Sequence, residues 1–381
     1  MNKLRINSFF NPIYVTRPLF PDISRIVEKL EDIWKSKWIT NNGSQCKILE
    51  KRLVDILKTS YISLFNNGTS ALMIACKALE LSGEVITTPF TFSATPHSLT
   101  WNHVEPVFCD IDPVTMNIDT SKIESMITTR TTGILAVHAF GIPCDVLAIQ
   151  KIADQYGLKV IYDAAHAFGV EVGGIGIGNY GDMTMMSFHA TKLFHTAEGG
   201  ALICNNRDMK EYIDILKNFG MKNEENIGMF PGINGKMNEV QAALGLSMLD
   251  LIEGEIRKRK KIVDFYRSRL RDIEGIYFQE DMQGVRYNSA CFIIRIDEEK
   301  FGKSRNYVYD QYKKYNVFTR KYYSPLCSEY PHYKDLPSSH PKNLPVATKI
   351  VKQVLSLPLY GDLSIHDIEK ICDILIEIRN S

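Results

Sequence analysis

The sequence contains no pair of cysteines in a C-x-x-C arrangement. Its eight cysteines stand singly along 381 residues, and this spacing gives no support to a zinc site or a redox motif. We therefore predict no metal site. Scattered cysteines without a disulfide pattern are typical of a reducing compartment, so we expect a cytoplasmic protein.

Long apolar segments and an excess of one charge are also missing. No window approaches the ~18 uninterrupted apolar residues of a membrane span, and the first ten residues lack the apolar stretch of a signal peptide. Lysine and arginine number 45 against 44 for aspartate and glutamate, so no net field favours nucleic acid or an anionic membrane as the partner. We expect a folded protein that recognises its ligand through local contacts.

Short apolar or β-branched runs alternate with helix-like segments between residues 60 and 205. This alternation predicts an α/β fold with a mostly parallel sheet covered by helices on both faces. Ligands of such sheets bind at the carboxyl ends of the strands, so the polar residues that follow each run are candidates for the site. The predicted strands are 61–65, 84–88, 105–111, 133–138, 158–165, 183–188 and 200–204, with helices between several of them, including 70–81 and 144–156.

The pattern changes near residue 240. One long spanning helix is predicted from about 238 to 273, and the remainder has the mixed character of a smaller α+β domain. We therefore divide the chain into a large α/β domain, 1–250, and a small C-terminal α+β domain, 251–381. The later predicted elements are a strand at 291–296 and helices near 304–315 and 365–379.

Residues 66–72, Asn-Asn-Gly-Thr-Ser-Ala-Leu, mark the end of the first predicted strand and the start of a helix. A helix N-terminus offers free backbone N–H groups and the positive end of the macrodipole, and Thr69 and Ser70 add hydroxyl donors. This combination favours a phosphate. The alternative is an ordinary N-cap without a ligand.

Asp163 stands at the carboxyl end of the predicted strand 158–165, next to two alanines too small to shield it. A carboxylate at this place can keep a heterocyclic ring nitrogen protonated, because an ion pair in a partly desolvated site is much stronger than in water. The alternative is an Asp that caps the next helix.

Lys192 follows strand 183–188 and lies among aromatic and small residues. Apolar surroundings lower the pKa of a lysine and so provide the free amine that forms a Schiff base with an aldehyde or ketone. A surface or structural lysine is the alternative. A metal site made of His189, His195 and Glu198 is disfavoured, because their spacing fits no zinc-binding helix pattern, and we interpret His189 as a packed or hydrogen-bonded residue of the site.

The segment 176–181 formally matches G-x-G-x-x-G. A dinucleotide fingerprint follows a strand and opens a helix, whereas this segment leads directly into another predicted strand. We therefore predict a glycine-rich turn between strands.

Taken together, a helix start, then a strand-end aspartate, then a lysine are typical of a pyridoxal phosphate site in chain order. The sequence resembles the DegT/StrS-type nucleotide-sugar aminotransferases, which have the pyridoxal phosphate (PLP) fold type I. The resemblance spans nearly the whole chain and rests on five motifs in the family's order: NNGTSAL (66–72), ITTPFTFSAT (86–95), IYDAAHAFG (161–169), GDMTMMSFHATKLFHTAEGGAL (181–202) and GINGKMNEVQAALG (232–245).

The resemblance implies a role for each matching residue. Lys192 would hold the cofactor covalently and move the proton, and Asp163 would pair with the pyridinium nitrogen. Phe92 would stack on the ring, and His166, where the family often has Gln, would lie beside the phenolic oxygen. Four residues would hold the phosphate of the cofactor: Gly68, Thr69, Ser70 and Ser187. Asn234 would enter the partner's site in a homodimer.

The resemblance also implies a substrate. Segments 38–44 and 317–333 are similar to members that move the amino group of L-glutamate to C4 of dTDP-4-keto-6-deoxyglucose, giving dTDP-4-amino-4,6-dideoxyglucose for O-antigen or a related glycan. Tyr322 and Tyr323 would line the sugar-nucleotide pocket, with Arg320 or Lys321 as a cation for pyrophosphate or donor carboxylate; a solvated aromatic loop is the alternative. Amination at C3, another nucleotide keto-sugar, and a non-catalytic PLP-binding regulator stay open.

Overall fold

The computed structural model describes residues 6–223 and 225–381, so residues 1–5 of the N-terminal segment considered above lie outside the described residues. The strands are β1 (Ile13–Tyr14), β2 (Tyr61–Phe65), β3 (Glu84–Thr87), β4 (Glu105–Phe108), β5 (Thr131–Val137), β6 (Lys159–Asp163), β7 (Glu171–Val172), β8 (Ile175–Gly176), β9 (Met183–Ser187), β10 (Gly200–Cys204), β11 (Ile276–Phe278), β12 (Val285–Arg286), β13 (Phe292–Ile296), β14 (Val317–Phe318) and β15 (Val354–Leu357).

Helices connect most of these strands. They are α1 (Ile23–Ser36), α2 (Ser44–Leu57), α3 (Gly68–Ala78), α4 (Ala94–Thr100), α5 (Thr120–Ile123), α6 (Val146–Tyr156), α7 (Arg207–Leu216), α8 (Glu239–Leu249), α9 (Ile252–Leu270), α10 (Glu298–Phe301), α11 (Arg305–Lys314), α12 (Pro345–Ile350) and α13 (Ile365–Asn380). Among the described residues, no helix is both long and apolar enough to cross a bilayer.

The seven strands predicted between residues 61 and 204 form one sheet, in the order β2-β10-β9-β6-β5-β3-β4. β10 runs antiparallel to both of its neighbours, and the other pairs are parallel. The prediction of a mostly parallel α/β sheet is confirmed. A parallel pair needs a crossover connection, which explains why helices separate most of these strands in the sequence.

The two faces of this sheet bury two different sets of side chains. Ile134 and Val160 join the cluster that contains residues of α2, α6 and α8. Their chain neighbours Leu135 and Ile161 join the opposite cluster, which contains residues of α3 and α7. Side chains alternate between the two faces of a strand. A strand that is covered on both faces therefore has apolar residues at consecutive positions, which explains the continuous apolar runs in the sequence.

The single helix predicted from 238 to 273 is wrong, because the structure has α8 and α9 with a break at Asp250 and Leu251. The Leu251 N–H donates to the carbonyl of Met248, three residues back, which tightens the turn. The Asp250 carboxylate is held from another helix by Arg52 at 2.8 Å. This ion pair lies at the break and joins residues far apart in the sequence.

The C-terminal residues form a second, antiparallel sheet in the order β11-β13-β15, with an apolar cluster of its own that contains residues of α9, α11 and α13. The predicted strand 291–296 and both later helices are present. Phe9 also belongs to this cluster, and β1 pairs with β14. The division of the chain at residue 250 stays a prediction.

The G-x-G-x-x-G match at 176–181 lies in a connection between strands, as predicted. β8 ends at Gly176, one short 3₁₀ turn covers Ile177–Asn179, and β9 begins at Met183. No helix opens after these glycines, so the dinucleotide interpretation has no structural basis here.

Candidate active site

A cavity of about 230 Å³ lies at the carboxyl ends of the central strands. It brings together residues that are far apart in the sequence, because parallel strands end at the same edge of a sheet. Of the predicted site residues, those that line it are Gly68, Thr69, Phe92, Asp163, His166, Ser187, Lys192, Arg320, Tyr322 and Tyr323.

One side of the cavity is the beginning of α3. The Asn67 side chain caps this helix by accepting from the Ser70 N–H at 2.8 Å, so the N-cap interpretation and the phosphate interpretation describe the same turn. Gly68 and Thr69 line the cavity, together with the Ser187 hydroxyl at the end of β9, whereas Ser70 is not among the lining residues. Backbone N–H groups and hydroxyls at a helix N-terminus suit a phosphate group.

Gly200 is needed for this turn to form. A Cβ at Gly200 would lie 2.7 Å from the backbone of Asn67 and Gly68, which no real contact allows. Because Gly200 has no side chain, the start of α3 can approach β10 closely. Gly200 is the second glycine of the Gly199-Gly200 pair in the lysine motif, 181–202.

Asp163 ends β6 and is only 4% exposed. Its Oδ2 accepts from the Thr95 hydroxyl at 2.7 Å, and its Oδ1 accepts from the Ala165 N–H at 3.0 Å. Burial raises the pKa of this carboxyl group, although both hydrogen bonds and Lys192 oppose the effect. Turns, not a helix, follow Asp163, so it does not cap a helix, and a buried carboxylate of this kind favours a cationic partner.

Lys192 lies in the loop after β9, with its Nζ 3.0 Å from Nε2 of His166. Burial lowers the pKa of the lysine and Arg320 lowers it further, while Cys291 and Asp163 act in the opposite direction. The net effect is a lowered pKa, which shifts the equilibrium towards the free amine. The sequence-based expectation of a lysine in a desolvated setting therefore agrees with its surroundings.

His166 is neutral for the same physical reasons. Burial lowers its pKa well below the ordinary value, with Lys192 and Arg320 acting in the same direction. Its backbone carbonyl accepts from the Asn288 side chain at 2.8 Å, and its ring lies against Phe140. A neutral imidazole can either accept from or donate to the neighbouring lysine.

Aromatic residues form the mouth of the cavity. Phe92 is 59% exposed although it lines the site, which leaves one ring face free for a planar ligand. Tyr322 and Tyr323 stand on the opposite side with ring centroids 5.0 Å apart, and Tyr323 packs edge-on against Phe90. These tyrosines are held by the protein and are not a solvated loop.

The structure separates Lys321 from its neighbour Arg320. The Lys321 Nζ lies 3.3 Å from the Asn306 side chain and 4.5 Å from the centre of the Tyr309 ring, on α11. Lys321 does not line the cavity. Successive side chains of an extended segment point to opposite sides, so only Arg320 can serve the predicted cationic role.

Residues 22–376 match the model of the DegT/DnrJ/EryC1/StrS aminotransferase family. The chain belongs to this family. A protein from Shigella dysenteriae named dTDP-4-amino-4,6-dideoxy-D-glucose transaminase is 45% identical over 368 residues, which are 97% of this chain and 99% of that protein.

Two solved structures extend the comparison. DesI, crystallised in the presence of its TDP-sugar product, is 34% identical with a TM-score of 0.93, and the match covers 98% of this chain and 94% of that chain. The PLP form of Spr1654 from Streptococcus pneumoniae is 27% identical with a TM-score of 0.89, over 97% of this chain and 99% of that chain. The predicted family and fold are confirmed, and this DegT/StrS-family protein is an aminotransferase.

Sequence reasoning missed several residues of this aminotransferase site. Thr95 holds Asp163, and Thr91 is 2.8 Å from Thr95 through their hydroxyls. Both stand in the quoted motif ITTPFTFSAT, which could have indicated them. His138 lines the cavity after β5, and its ring stacks on Tyr162 with centroids 4.7 Å apart; the predicted strand ended at this residue without a role for it.

The structure also separates the three residues of the metal site that the sequence disfavours, His189, His195 and Glu198. His189 lies 3.6 Å from Glu198, but the His195 Nε2 is 2.7 Å from the carbonyl of Leu19 and its side chain is buried elsewhere. Within residues 6–223 and 225–381 there is no group of three or more metal-ligating side chains. His189 bonds the Thr191 hydroxyl at 2.9 Å, which agrees with a hydrogen-bonded residue of the site.

Proposed function

We propose that this chain transfers the amino group of L-glutamate to C4 of dTDP-4-keto-6-deoxyglucose, producing dTDP-4-amino-4,6-dideoxyglucose for O-antigen or a related glycan. One observation carries the proposal: the chain matches, from end to end and at 45% identity, a protein named for this product. The cavity with Lys192 and Asp163 supports it. The eight cysteines, all described, are free thiols, which supports a cytoplasmic reaction.

The residues around the cavity suit pyridoxal phosphate. The start of α3 provides neutral donors for a phosphate through Gly68, Thr69 and Ser187, and the buried Asp163 provides a carboxylate for a protonated ring nitrogen. Pyridoxal phosphate supplies an electron sink for the electron pair at the donor's α-carbon. The protein's contribution is to bind, orient and protonate.

Lys192 carries the proton in this proposal. It would hold the cofactor covalently, and its free Nζ would accept the proton from the donor's α-carbon. Its lowered pKa supports this role, because an ammonium ion could not accept a proton. His166, 3.0 Å away, orients the Nζ and holds the phenolic oxygen as a neutral partner.

Asp163 and Phe92 act on the ring itself. Asp163 would keep the ring nitrogen protonated, since its carboxylate is anchored by Thr95 and the Ala165 N–H. Phe92, which lines the cavity, would cover one face of the ring. Tyr322 and Tyr323 line the wall that receives the sugar nucleotide.

We further propose a homodimer with shared active sites. Asn234 does not line the cavity of its own chain, and its carbonyl accepts from the Asn66 side chain at 3.3 Å. A second copy would bring Asn234 to the phosphate that the first copy holds at Gly68, Thr69 and Ser187.

The experiment that tests the function uses purified protein with pyridoxal phosphate. L-Glutamate should remove the visible absorbance of the bound cofactor, and dTDP-4-keto-6-deoxyglucose should restore it with release of an aminated sugar. NMR of the product should locate the new amino group at C4. A protein that aminates only the 3-keto isomer would refute the proposal.

The role of the lysine is tested with the variant Lys192→Ala. It should lose turnover, while circular dichroism shows an unchanged fold, because the side chain is replaced by a smaller one in an open cavity. Normal turnover by Lys192→Ala would contradict the assigned role of the lysine. A wild-type protein that binds the cofactor but never reacts with L-glutamate would favour the regulator alternative.

A further inference from the structure

The segment 91–95 forms part of the cavity wall and also reaches the carboxylate beside it. Thr91 and Phe92 line the cavity, whereas the Thr95 hydroxyl is bonded to Asp163. The Thr95 N–H donates to the Phe92 carbonyl at 3.1 Å, so one turn holds both residues. The same turn therefore fixes an aromatic ring in the cavity and a hydroxyl on the carboxylate.

The C-terminal part of the chain holds this segment in place. The Cys327 N–H donates to the Pro89 carbonyl at 3.0 Å, and the Cys327 thiol donates to the Thr91 carbonyl at 3.3 Å. Cys327, Thr91 and Thr95 are all buried. Buried hydroxyls need hydrogen-bond partners within the protein, so the partners of the two threonines show what these residues do.

The hydrogen bonds of the two hydroxyls run in one direction. An ionised carboxylate can only accept, so the Thr95 hydroxyl donates to Oδ2 of Asp163, at 2.7 Å. This bond uses the only hydrogen of the Thr95 hydroxyl. The contact of 2.8 Å between the two hydroxyls therefore runs from Thr91 to Thr95. We call Thr91 and Thr95 the hydroxyl relay, because both donors point towards the carboxylate.

The hydroxyl relay acts on a carboxylate that burial would otherwise neutralise. Burial raises the pKa of Asp163, and the hydrogen bond from Thr95 is the largest of the opposing effects, ahead of the Ala165 N–H and Lys192. A hydrogen bond to an ionised acceptor is stronger than one between neutral groups. Donors in a chain also polarise one another, so Thr91 strengthens the bond that Thr95 makes.

We propose that Thr95 is a positioning residue which, ordered by Thr91, holds the Asp163 carboxylate ionised and aimed at the ring nitrogen of bound pyridoxal phosphate. The inference rests on the proposed function only in that pyridoxal phosphate is the ligand of this cavity. It does not depend on the amino donor or on the keto-sugar. Thr95 itself does not line the cavity, so it acts through Asp163.

The test measures the binding of two ligands to the cofactor-free protein, without donor or sugar. Pyridoxal phosphate and its 1-deaza analogue carry the same aldehyde, phenolic oxygen and phosphate, but the analogue has a C–H group in place of the ring nitrogen. The ratio of the two Kd values, from absorbance titrations, reports the pairing of the ring nitrogen with Asp163. Contacts that the ligands share cancel in this ratio. The wild type should bind pyridoxal phosphate about tenfold or more tightly than the analogue.

Three variants and a control separate positioning from folding. Thr95→Val should reduce the preference by about tenfold, because a hydrogen bond to a charged group is lost. Thr95→Ser keeps the hydroxyl and should restore the wild-type ratio. Thr91→Val removes only the outer hydroxyl and should reduce the preference by about two- to threefold. The control is Thr100→Val in the same helix, α4, whose hydroxyl contacts the Pro96 carbonyl and the Tyr333 hydroxyl; its ratio should equal that of the wild type.

Other outcomes contradict the inference. If Thr95→Val weakened both ligands equally, Thr95 would support only the fold, and the same holds if Thr95→Ser behaved like Thr95→Val. A wild type without any preference between the ligands would show that Asp163 does not pair with the ring nitrogen, and would overturn this inference together with that part of the proposed function. A wild type that shows the preference but does not aminate dTDP-4-keto-6-deoxyglucose would refute the proposed acceptor and leave the result for Thr95 standing.

Discussion

Asp163 keeps its carboxylate where water barely reaches it, and its two hydrogen bonds come from Thr95 and the Ala165 N–H. Its pKa is raised by burial, so the charged form needs a cation in front of it. Bound pyridoxal phosphate would provide that cation at its ring nitrogen. The strength of this ion pair can be tested by a substitution that preserves the hydrogen bonds.

Asp163→Asn is such a substitution. The amide oxygen can still accept from the Ala165 N–H, and the amide nitrogen can donate to the Thr95 hydroxyl, so we expect a folded protein that retains the cofactor. Without the negative charge, the reaction with L-glutamate should slow by roughly 10²–10⁴-fold, since breaking a buried ion pair costs about 3–5 kcal/mol. Stopped-flow absorbance measures this rate directly.

The control is Asp154→Asn, which changes an exposed carboxylate on α6 that accepts from Gln150. Its rate should equal that of the wild type. If Asp163→Asn also reacted within threefold of the wild type, Asp163 would have no electrostatic role in the reaction.

The sequence was informative about residues whose role depends on a local motif. Asp163 and Lys192 each follow a strand, and the strand end places them at the sheet edge. Thr95 stands in a quoted motif, but its partner could not be named from the sequence, because its contact with Asp163 spans 68 residues. Arg320 and Lys321 could not be distinguished either, because the bridge from Arg320 to Ser356 decides which of them faces the cavity.

At the scale of elements, the start of α2 depends on a carboxylate far away in the chain. Gly43 is the N-cap of α2 and has no side chain to cap it. The Glu239 carboxylate, at the start of α8, accepts instead from the N–H groups of Gly43 at 2.9 Å and Gln45 at 2.7 Å. Glu239 is 1% exposed, so one buried anion serves the N-termini of two helices.

Glu239→Gln should therefore destabilise the protein by about 2–4 kcal/mol, because a donor NH₂ would face a backbone N–H in a buried position. The unfolding midpoint in urea should fall accordingly. Glu253→Gln is the matched control, since Glu253 pairs with Arg286 at the surface and such pairs contribute about 1 kcal/mol or less. Equal losses in the two variants would contradict the capping role.

Strands were predicted better than helix ends for a physical reason. All seven strands of the large sheet were predicted from their apolar runs, because most of their side chains are buried on one or the other face of the sheet. The break between α8 and α9 was missed, since neither glycine nor proline stands at residues 250–251 to mark it. The cap of α2 by Glu239 could not be predicted either, because this contact joins residues 196 positions apart in the sequence.

At the scale of the whole molecule, the N-terminal segment connects parts that are distant in the sequence. Phe9 packs in the C-terminal cluster and β1 pairs with β14, while α1 contacts α8. Arg286 on β12 also pairs with Glu171 on β7, and those two strands share a small sheet. These contacts connect the two halves of the chain, and residues of both halves line the cavity.

His138 is one buried group whose effect on stability depends on pH. Its side chain is fully buried, its Nδ1 accepts from the Cys144 N–H at 3.0 Å, and its Nε2 has no partner among the described residues. Burial lowers its pKa from 6.5 to about 3. Between these values the unfolded chain binds a proton that the folded protein does not bind, so this group's contribution to stability is lost as the pH falls below 6.5.

His138→Asn removes this titration, while its side-chain oxygen can still accept from the Cys144 N–H. The variant should be less stable than the wild type at pH 7, because the stacking on Tyr162 is lost. On going from pH 6.5 to pH 5, however, the wild type should lose about 2 kcal/mol more than the variant, at about 1.4 kcal/mol per pH unit. Urea unfolding at a series of pH values, with the same saturating pyridoxal phosphate, measures the difference. The exposed His366→Asn should follow the wild type, and a parallel decline of wild type and His138→Asn would show that His138 is not the group that titrates.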